Sequence, residues 1–171
     1  MLPTDPAAPP DDWPRTLPVA GGTLALAPRP GGASGAGDAY LADLARIVGW
    51  RPRLVLSLVE AAELTGAAAA LPADLAAAGI AWRSFPVPDY GVPGPDAAAA
   101  WPAESIALRA ALAGHGRALV HCAGGRGRSG MIALRLMVEA GEAPAVALAR
   151  LRHARPGAVE TEAQRLWAAG T

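Results

Sequence analysis

The single cysteine of the chain stands in a loop whose residues can bind a phosphate group and also attack it. The loop reads His-Cys-Ala-Gly-Gly-Arg-Gly-Arg-Ser-Gly over residues 121–130, and Cys122 is its second residue. The apolar run 117–121 before it is typical of a buried strand. The segment 131–138 after it is apolar on nearly every face, which predicts a helix in the middle of the domain. Cys122 therefore lies between a strand and a helix N-terminus.

This loop has the composition of a phosphate cradle. Its glycines allow successive backbone amides to turn inward, at a helix N-terminus where partial positive charge accumulates. An arginine adds a planar fork that can hold two phosphate oxygens, and the same groups stabilise the thiolate form of Cys122. The alternatives are a glycine-rich turn around an inert buried cysteine and a dinucleotide site, whose glycine spacing does not match. We predict a phosphate-binding loop made of Ala123, Gly124, Gly125, Arg126, Gly127 and Arg128.

The pattern Cys, five residues, Arg, with His before it and Ser-Gly after it, resembles the signature of protein tyrosine and dual-specificity phosphatases. Its Gly-Gly-x-Gly-Arg-Ser-Gly form is most similar to the kinase-associated phosphatase subgroup of atypical dual-specificity enzymes, and the resemblance covers the chain from about residue 54. It implies that Cys122 attacks phosphorus to form a phosphocysteine and that Arg128 binds the phosphoryl group. It also implies that Ser129 assists the departing thiolate when the intermediate breaks down, and that His121 is structural.

The leaving oxygen of a phosphate ester needs a proton donor. Asp89 stands in Phe-Pro-Val-Pro-Asp-Tyr-Gly-Val-Pro, residues 85–93, directly after a predicted strand and 33 residues before Cys122. The segment resembles the general-acid loop of the same phosphatases, which implies that Asp89 first donates a proton and later takes one from water. The alternative is an ordinary turn aspartate. Asp96 is the substitute acid, although we expect it to cap the alanine-rich helix that follows.

Three further residues are candidates for the site. Gln164 stands in the segment 155–164, which resembles the late segment of the family, where a glutamine supports the site; its other role is to begin a helix, with Thr161 or a neighbour as the cap. Tyr90, beside the acid, is a candidate for lining the pocket. Arg126 would add positive charge at the pocket mouth, or simply be a solvated rim residue.

The remaining segments predict a single α/β domain with a mostly parallel central sheet flanked by helices, because strands alternate with helices. The resemblance implies that this fold is tyrosine-phosphatase-like. Residues 1–15 form a flexible, proline-rich lead-in and residues 16–171 the catalytic domain. Predicted strands cover residues 23–27 (an edge strand), 54–59, 80–85 and 117–121. Predicted helices cover residues 38–48, 61–64, 73–78, 103–113, 131–138, 145–152 and 160–168.

Composition limits the classes of partner. Fifteen acidic residues balance fifteen arginines, so no overall field recruits nucleic acid or an anionic membrane. One cysteine excludes an intramolecular disulfide and a cysteine-rich zinc site. The first eighteen residues do not resemble a signal peptide, and no apolar run approaches the roughly 20 residues of a membrane span. We expect a cytoplasmic, monomeric protein with no metal, no cofactor and no membrane span.

The sequence does not decide between several classes of phosphate-containing substrate. We expect phosphotyrosine and phosphoserine or phosphothreonine proteins. The alternatives are a phosphoinositide, an inositol phosphate or a nucleotide end, and, without turnover, a phosphate-recognition module.

Overall fold

The computed structural model describes residues 13–33 and 35–170. Its strands are β1 (Arg15–Val19), β2 (Gly22–Ala27), β3 (Leu54–Ser57), β4 (Ala81–Ser84) and β5 (Arg117–His121). Its α-helices are α1 (Gly37–Trp50), α2 (Leu71–Ala77), α3 (Pro95–Leu112), α4 (Gly127–Glu139), α5 (Pro144–Ala154) and α6 (Glu162–Ala169). Two short 3-10 helices, Ala61–Glu63 and Gly66–Ala70, lie between β3 and α2.

The five strands form one sheet in the order β1-β2-β5-β3-β4. Only β1 is antiparallel to its neighbour; the pairs β2–β5, β5–β3 and β3–β4 are parallel. The register places Ala27 and Ser57 on either side of His121. Because parallel strands all end at the same edge of the sheet, the loops after β2, β3, β4 and β5 meet around Cys122. The predicted α/β domain with a mostly parallel sheet is confirmed.

Helices cover both faces of the sheet, as the alternation of side chains along its strands requires. Leu24, Leu26, Leu56 and Val120 face a core that includes the buried sides of α3, α4, α5 and α6. Ala25, Ala27, Val55 and Leu119 face a second core formed with α1 and α2. The central helix α4 is buried from Gly127 to Leu134, which accounts for its apolar sequence and fixes its first turn beneath the site.

The sequence-based prediction that 23–27 is an edge strand was wrong. A further strand, β1, pairs with it and takes the edge position. Pro18 lies within β1, and proline is tolerated there because an edge strand leaves one row of N–H groups unpaired. β1 begins at Arg15, the last residue of the predicted lead-in, while residues 1–12 of that lead-in lie outside the described part of the chain.

Helix boundaries also differ from the predicted ones. The helix predicted from residue 103 begins at Pro95 and tolerates Pro102 in its interior; its N-cap is Gly94, so Asp96 lies in the first turn and is not the cap. The segment predicted as a helix over 61–64 is the 3-10 turn Ala61–Glu63. Thr161 does cap α6, in a reciprocal capping box with Gln164. Among the described residues, no helix combines the length and apolar character that crossing a bilayer requires.

A half-buried carboxylate links α3 to α4. The carboxylate of Glu139 accepts hydrogen bonds from Trp101 Nε1 at 2.7 Å, Ser105 Oγ at 2.5 Å, Arg135 Nε at 2.7 Å and Arg109 at 3.3 Å. Burial alone would raise the pKa of Glu139, but these four donors outweigh it and lower the pKa to about 2. The ionised form of Glu139 therefore stabilises the folded chain.

The pKa of Glu139 predicts part of the acid sensitivity of the fold. A carboxyl whose folded pKa is depressed stabilises the protein above its unfolded value, here 4.5, and loses that contribution as pH falls towards 2. In urea unfolding between pH 6 and pH 2.5, Glu139→Gln should be less stable at neutral pH. Its free energy of unfolding should also fall with acid by on the order of 2 kcal/mol less than that of the parent protein. Parallel pH curves for the two proteins would contradict this role.

Candidate active site

Cys122 lies directly after β5, at the base of the loop that begins α4. It is 3% exposed, and its Sγ lies 3.5 Å from the hydroxyl oxygen of the fully buried Ser129 in the first turn of α4. A serine hydroxyl at this position can donate a hydrogen bond to a sulfur that carries negative charge. The structure thus brings together the predicted nucleophile and the residue expected to stabilise it as a leaving group.

The conformation of the loop depends on Gly125 and on a buried arginine. Gly125 has a φ of +66°, and a Cβ there would lie 2.6 Å from the carbonyl carbon of Ala27. Arg155, 2% exposed, donates from Nε to the Gly125 carbonyl and from its second terminal nitrogen to the Gly124 carbonyl, both at 2.9 Å. The backbone N–H of Arg29 donates to the Ala123 carbonyl at 3.1 Å. Because these three carbonyls already accept hydrogen bonds from other parts of the chain, the backbone N–H groups of the loop are the polar groups that it can offer to an anion.

Arg128 places a fixed positive charge beside the cysteine. Its side chain is 1% exposed and forms two parallel hydrogen bonds with the carboxylate of Glu63, at 2.8 and 2.9 Å. It also donates to the Val87 carbonyl at 3.0 Å. Its Nε has no hydrogen-bond partner among the described residues. A buried N–H without a partner is costly, and an anion bound in the loop would satisfy it.

Glu63 belongs to this site although the sequence did not single it out. The hydrogen bonds from Arg128 lower the pKa of Glu63, against the opposing effect of its partial burial, so the pair is ionised at neutral pH. Glu63 ends the short 3-10 turn after β3 and lies in a run of alanine and glutamate with no distinguishing motif. Only its position in space identifies it as the partner that orients Arg128.

Asp89 reaches the same guanidinium from the loop after β4. Its carboxylate lies 3.1 Å from Arg128, accepts the backbone N–H of Tyr90 at 3.1 Å, and leaves 57% of the side chain exposed. The structure therefore gathers Asp89, Arg128 and Cys122 at one edge of the sheet. Asp96 lies on α3, and the carboxylate that contacts Arg128 is that of Asp89.

The segment before α6 holds the Asp89 loop. The buried side chain of Gln164 donates to the Gly91 carbonyl at 3.2 Å and accepts the backbone N–H groups of Glu160 and Thr161. The hydroxyl of Thr161 donates to the Tyr90 carbonyl at 3.4 Å. Tyr90 itself has a φ of +57°, a left-handed conformation that costs an L-residue roughly 1–2 kcal/mol. These contacts retain the strained turn, and they give Gln164 the supporting position predicted for it.

His121 connects the cysteine loop to the neighbouring strands. It is fully buried, and its Nε2 lies 2.5 Å from the hydroxyl of Ser57 on β3, which also accepts the indole N–H of Trp82 on β4 at 2.8 Å. Burial lowers the pKa of His121 to about 4, so the ring is neutral at physiological pH. Its geometry fits the structural role expected of it, and Ser57 and Trp82 are partners that the sequence did not reveal.

Comparisons with known proteins agree with this arrangement. A family model described as Swiss Army Knife protein, DSP-PTPase phosphatase domain, matches residues 42–167. A sequence search among curated proteins finds no match.

Solved structures of phosphatases share the fold. Kinase associated phosphatase, solved with its catalytic-site cysteine replaced by serine, superposes with a TM-score of 0.77 at 21% identity, over 92% of each chain. The active form of Tk-PTP gives a TM-score of 0.65 at 28% identity, over 92% of this chain and 97% of that one. Human DUSP28 gives 0.56 at 27% identity, over 86% and 85%. The chain has the fold of protein tyrosine phosphatases.

Two neighbouring glycines provide a matched test of the cradle. Gly125→Ala should destabilise the protein by about 2 kcal/mol or more and weaken binding of tungstate, a tetrahedral oxyanion. The reason is that the new Cβ combines a left-handed φ with a backbone clash. Gly124→Ala is the control, because a Cβ there meets nothing within 4 Å and its φ is ordinary. Urea unfolding and calorimetric titration of tungstate measure the two effects; equal behaviour of the variants would show that the loop conformation described here is wrong.

Proposed function

Since the chain belongs to the family of dual-specificity phosphatase domains, we propose that it hydrolyses phosphomonoesters through a phosphocysteine on Cys122. One observation carries the proposal: the buried guanidinium of Arg128 is oriented by Glu63, interacts electrostatically with Cys122, and has no described hydrogen-bond partner at its Nε. This arrangement suits a phosphate dianion, which accepts parallel hydrogen bonds from an arginine fork. No metal or organic cofactor enters the steps proposed.

In the first step the Cys122 thiolate attacks phosphorus. A sulfur–phosphorus bond forms, the bond between phosphorus and the ester oxygen breaks, and the electron pair of that bond goes to the departing oxygen. Asp89, in its protonated form, supplies the proton that this oxygen needs. Arg128 and the amides of residues 123–128 hold the three remaining oxygens and stabilise the charge that they carry in the transition state.

In the second step water releases the phosphate. The water oxygen attacks phosphorus, its proton passes to the Asp89 carboxylate, and the sulfur–phosphorus bond breaks with its electron pair returning to Cys122. Ser129 stabilises the departing thiolate through its hydroxyl, which lies 3.5 Å from Sγ. Inorganic phosphate leaves, and the thiolate and protonated acid are restored.

The proposed substrates are proteins that carry phosphotyrosine and phosphoserine or phosphothreonine. The second candidate is a phosphoinositide: PTPMT1, solved in complex with PI(5)P, shares the fold at a TM-score of 0.61 and 16% identity. The exposed Arg126, at the N-cap of α4, is the feature of this chain that suits a second anionic group. Relative kcat/KM values for phosphopeptides, phosphoinositides and inositol phosphates discriminate between the candidates.

The nucleophile is tested by Cys122→Ser. The parent protein should hydrolyse an aryl phosphate in the presence of EDTA and be inhibited by vanadate. The variant should lose turnover to background while it still binds tungstate, because only the sulfur nucleophile is removed. Aryl phosphate hydrolysis followed by absorbance, together with tungstate titration, measures both properties. Turnover that survives in Cys122→Ser would remove the phosphocysteine mechanism.

The proton donor is tested by comparing two aspartates. Asp89→Asn should lower kcat/KM by about 10²- to 10⁴-fold, and more for alkyl than for aryl phosphates, because an alkoxide is the poorer leaving group. Asp96→Asn is the control and should retain the rates of the parent with both kinds of substrate. A loss confined to Asp96→Asn would reassign the acid.

A further inference from the structure

We infer that Arg29, which lies in the loop after β2, is a positioning residue of the active site. It holds the turn that carries Glu63, and Glu63 in turn orients the guanidinium of Arg128. The inference rests on the proposed function, because it takes Arg128 to be the group that binds the phosphoryl oxygens. Arg29 acts on the substrate only through these two residues.

The turn that carries Glu63 is not anchored by the hydrophobic core. Of the described residues Ala61–Glu63, which form this 3-10 turn, none is buried. Polar contacts must therefore hold it, since a segment with few buried apolar contacts has little local stability. The carboxylate of Glu63 accepts the backbone N–H of Glu60 at 2.8 Å and the two hydrogen bonds from Arg128. The first contact comes from the start of the same turn, and the others come from the group that Glu63 has to orient.

The guanidinium of Arg29 supplies a contact from outside this turn. Its Nη1 donates to the backbone carbonyl of Glu63 at 2.5 Å, and its Nε donates to the carbonyl of Gly32 at 2.9 Å. Because both donors belong to one planar group, the two carbonyls together fix its orientation. The hydrogen bonds from Arg128 are the main cause of the lowered pKa of Glu63, and the charge of Arg29 lowers it further. Arg29 thus fixes the backbone of Glu63 and favours its ionised form.

The loop that carries Arg29 is itself bound to the cysteine loop and to α1. The backbone N–H of Arg29 donates to the carbonyl of Ala123 at 3.1 Å, and its carbonyl accepts the N–H of Gly32 at 3.0 Å. The N–H of Gly31 donates to the carboxylate of Asp43 on α1 at 3.0 Å. Arg29 therefore connects the cysteine loop to the turn described above. Removing its side chain should release that turn and leave the backbone contact with the cysteine loop intact.

Calorimetric titration of tungstate measures the effect on Arg128 without turnover. Arg29→Gln should weaken binding roughly three- to thirtyfold, because Glu63 is no longer held where it fixes the fork of Arg128. Arg29→Lys should weaken it to a similar extent, since lysine keeps the charge but lacks the planar fork. Arg117→Gln is the control and should bind like the parent. Arg117 also donates to a backbone carbonyl, that of Trp50 at 2.7 Å, but it lies at the start of β5, the end opposite the site.

A double substitution shows whether Arg29 acts through Glu63. In the Glu63→Ala protein, the further change Arg29→Gln should alter tungstate affinity by less than about twofold, because no carboxylate remains to be held. An equal loss in the parent and in the Glu63→Ala protein would show that Arg29 does not act through Glu63. The comparison of Arg29→Lys with Arg29→Gln requires no change at residue 63, so it decides the question even if Glu63→Ala does not fold.

The outcomes separate this inference from the proposed function. Tungstate affinity retained in Arg29→Lys would identify the charge, and not the fork, as the cause. Affinity retained in Arg29→Gln, with a loss of stability in urea alone, would leave Arg29 a role in folding only. Either result, like an additive double substitution, overturns the positioning role and leaves the phosphatase proposal intact. Failure of the parent protein to bind tungstate would instead remove the phosphate cradle, and both proposals with it.

Discussion

The ion pair between Arg128 and Glu63 is the constraint on which the site depends. A buried charge is tolerated only when it is paired and hydrogen-bonded, and Glu63 supplies both requirements through two parallel hydrogen bonds. This pairing uses the two terminal nitrogens of the guanidinium and leaves Nε without a described partner. The carboxylate of Glu63 and a bound phosphate therefore need not compete for the same N–H groups of Arg128. The charge is in place before any anion arrives, which is the preorganisation that electrostatic catalysis requires.

The sheet topology makes this pairing possible. Glu63, Asp89 and Arg128 are far apart in the chain, but each follows a strand of the parallel part of the sheet. The order β5-β3-β4 places the segments that follow these strands in succession at one edge. The guanidinium of Arg128, in the first turn of the helix after β5, therefore meets carboxylates from the segments after β3 and β4. Arg155 then completes the arrangement by binding the carbonyls of the cysteine loop. The order of the strands in the sheet, and not proximity in the sequence, brings the three charged side chains together.

The sequence predicted the parts of the site that are contiguous. The cysteine loop and the Asp89 segment each carry their chemistry within about ten residues, and apolar runs were sufficient to predict the alternating fold. Glu63 and Arg155 could not be predicted, because each acts through contacts with residues that are distant in the sequence and that only the tertiary structure brings close. Strand β1 was missed because Pro18 weakens a strand signal, and without β1 the strand 23–27 was wrongly placed at the edge. A local sequence pattern can indicate a strand or a loop, but it does not show which other strand or side chain will pair with it.

Phosphate binding would redistribute the contacts of Arg128. One terminal nitrogen of Arg128 contacts both Glu63 and Asp89, while Nε is unpaired among the described residues. A bidentate phosphate needs Nε and a neighbouring N–H, and Asp89 is the weaker competitor for it because its side chain is half exposed and makes only one contact with the guanidinium. The phosphate would displace Asp89 and leave Glu63 in place. The displaced carboxyl group would still accept the Tyr90 N–H, which keeps it at the position where the proposed mechanism needs a proton donor.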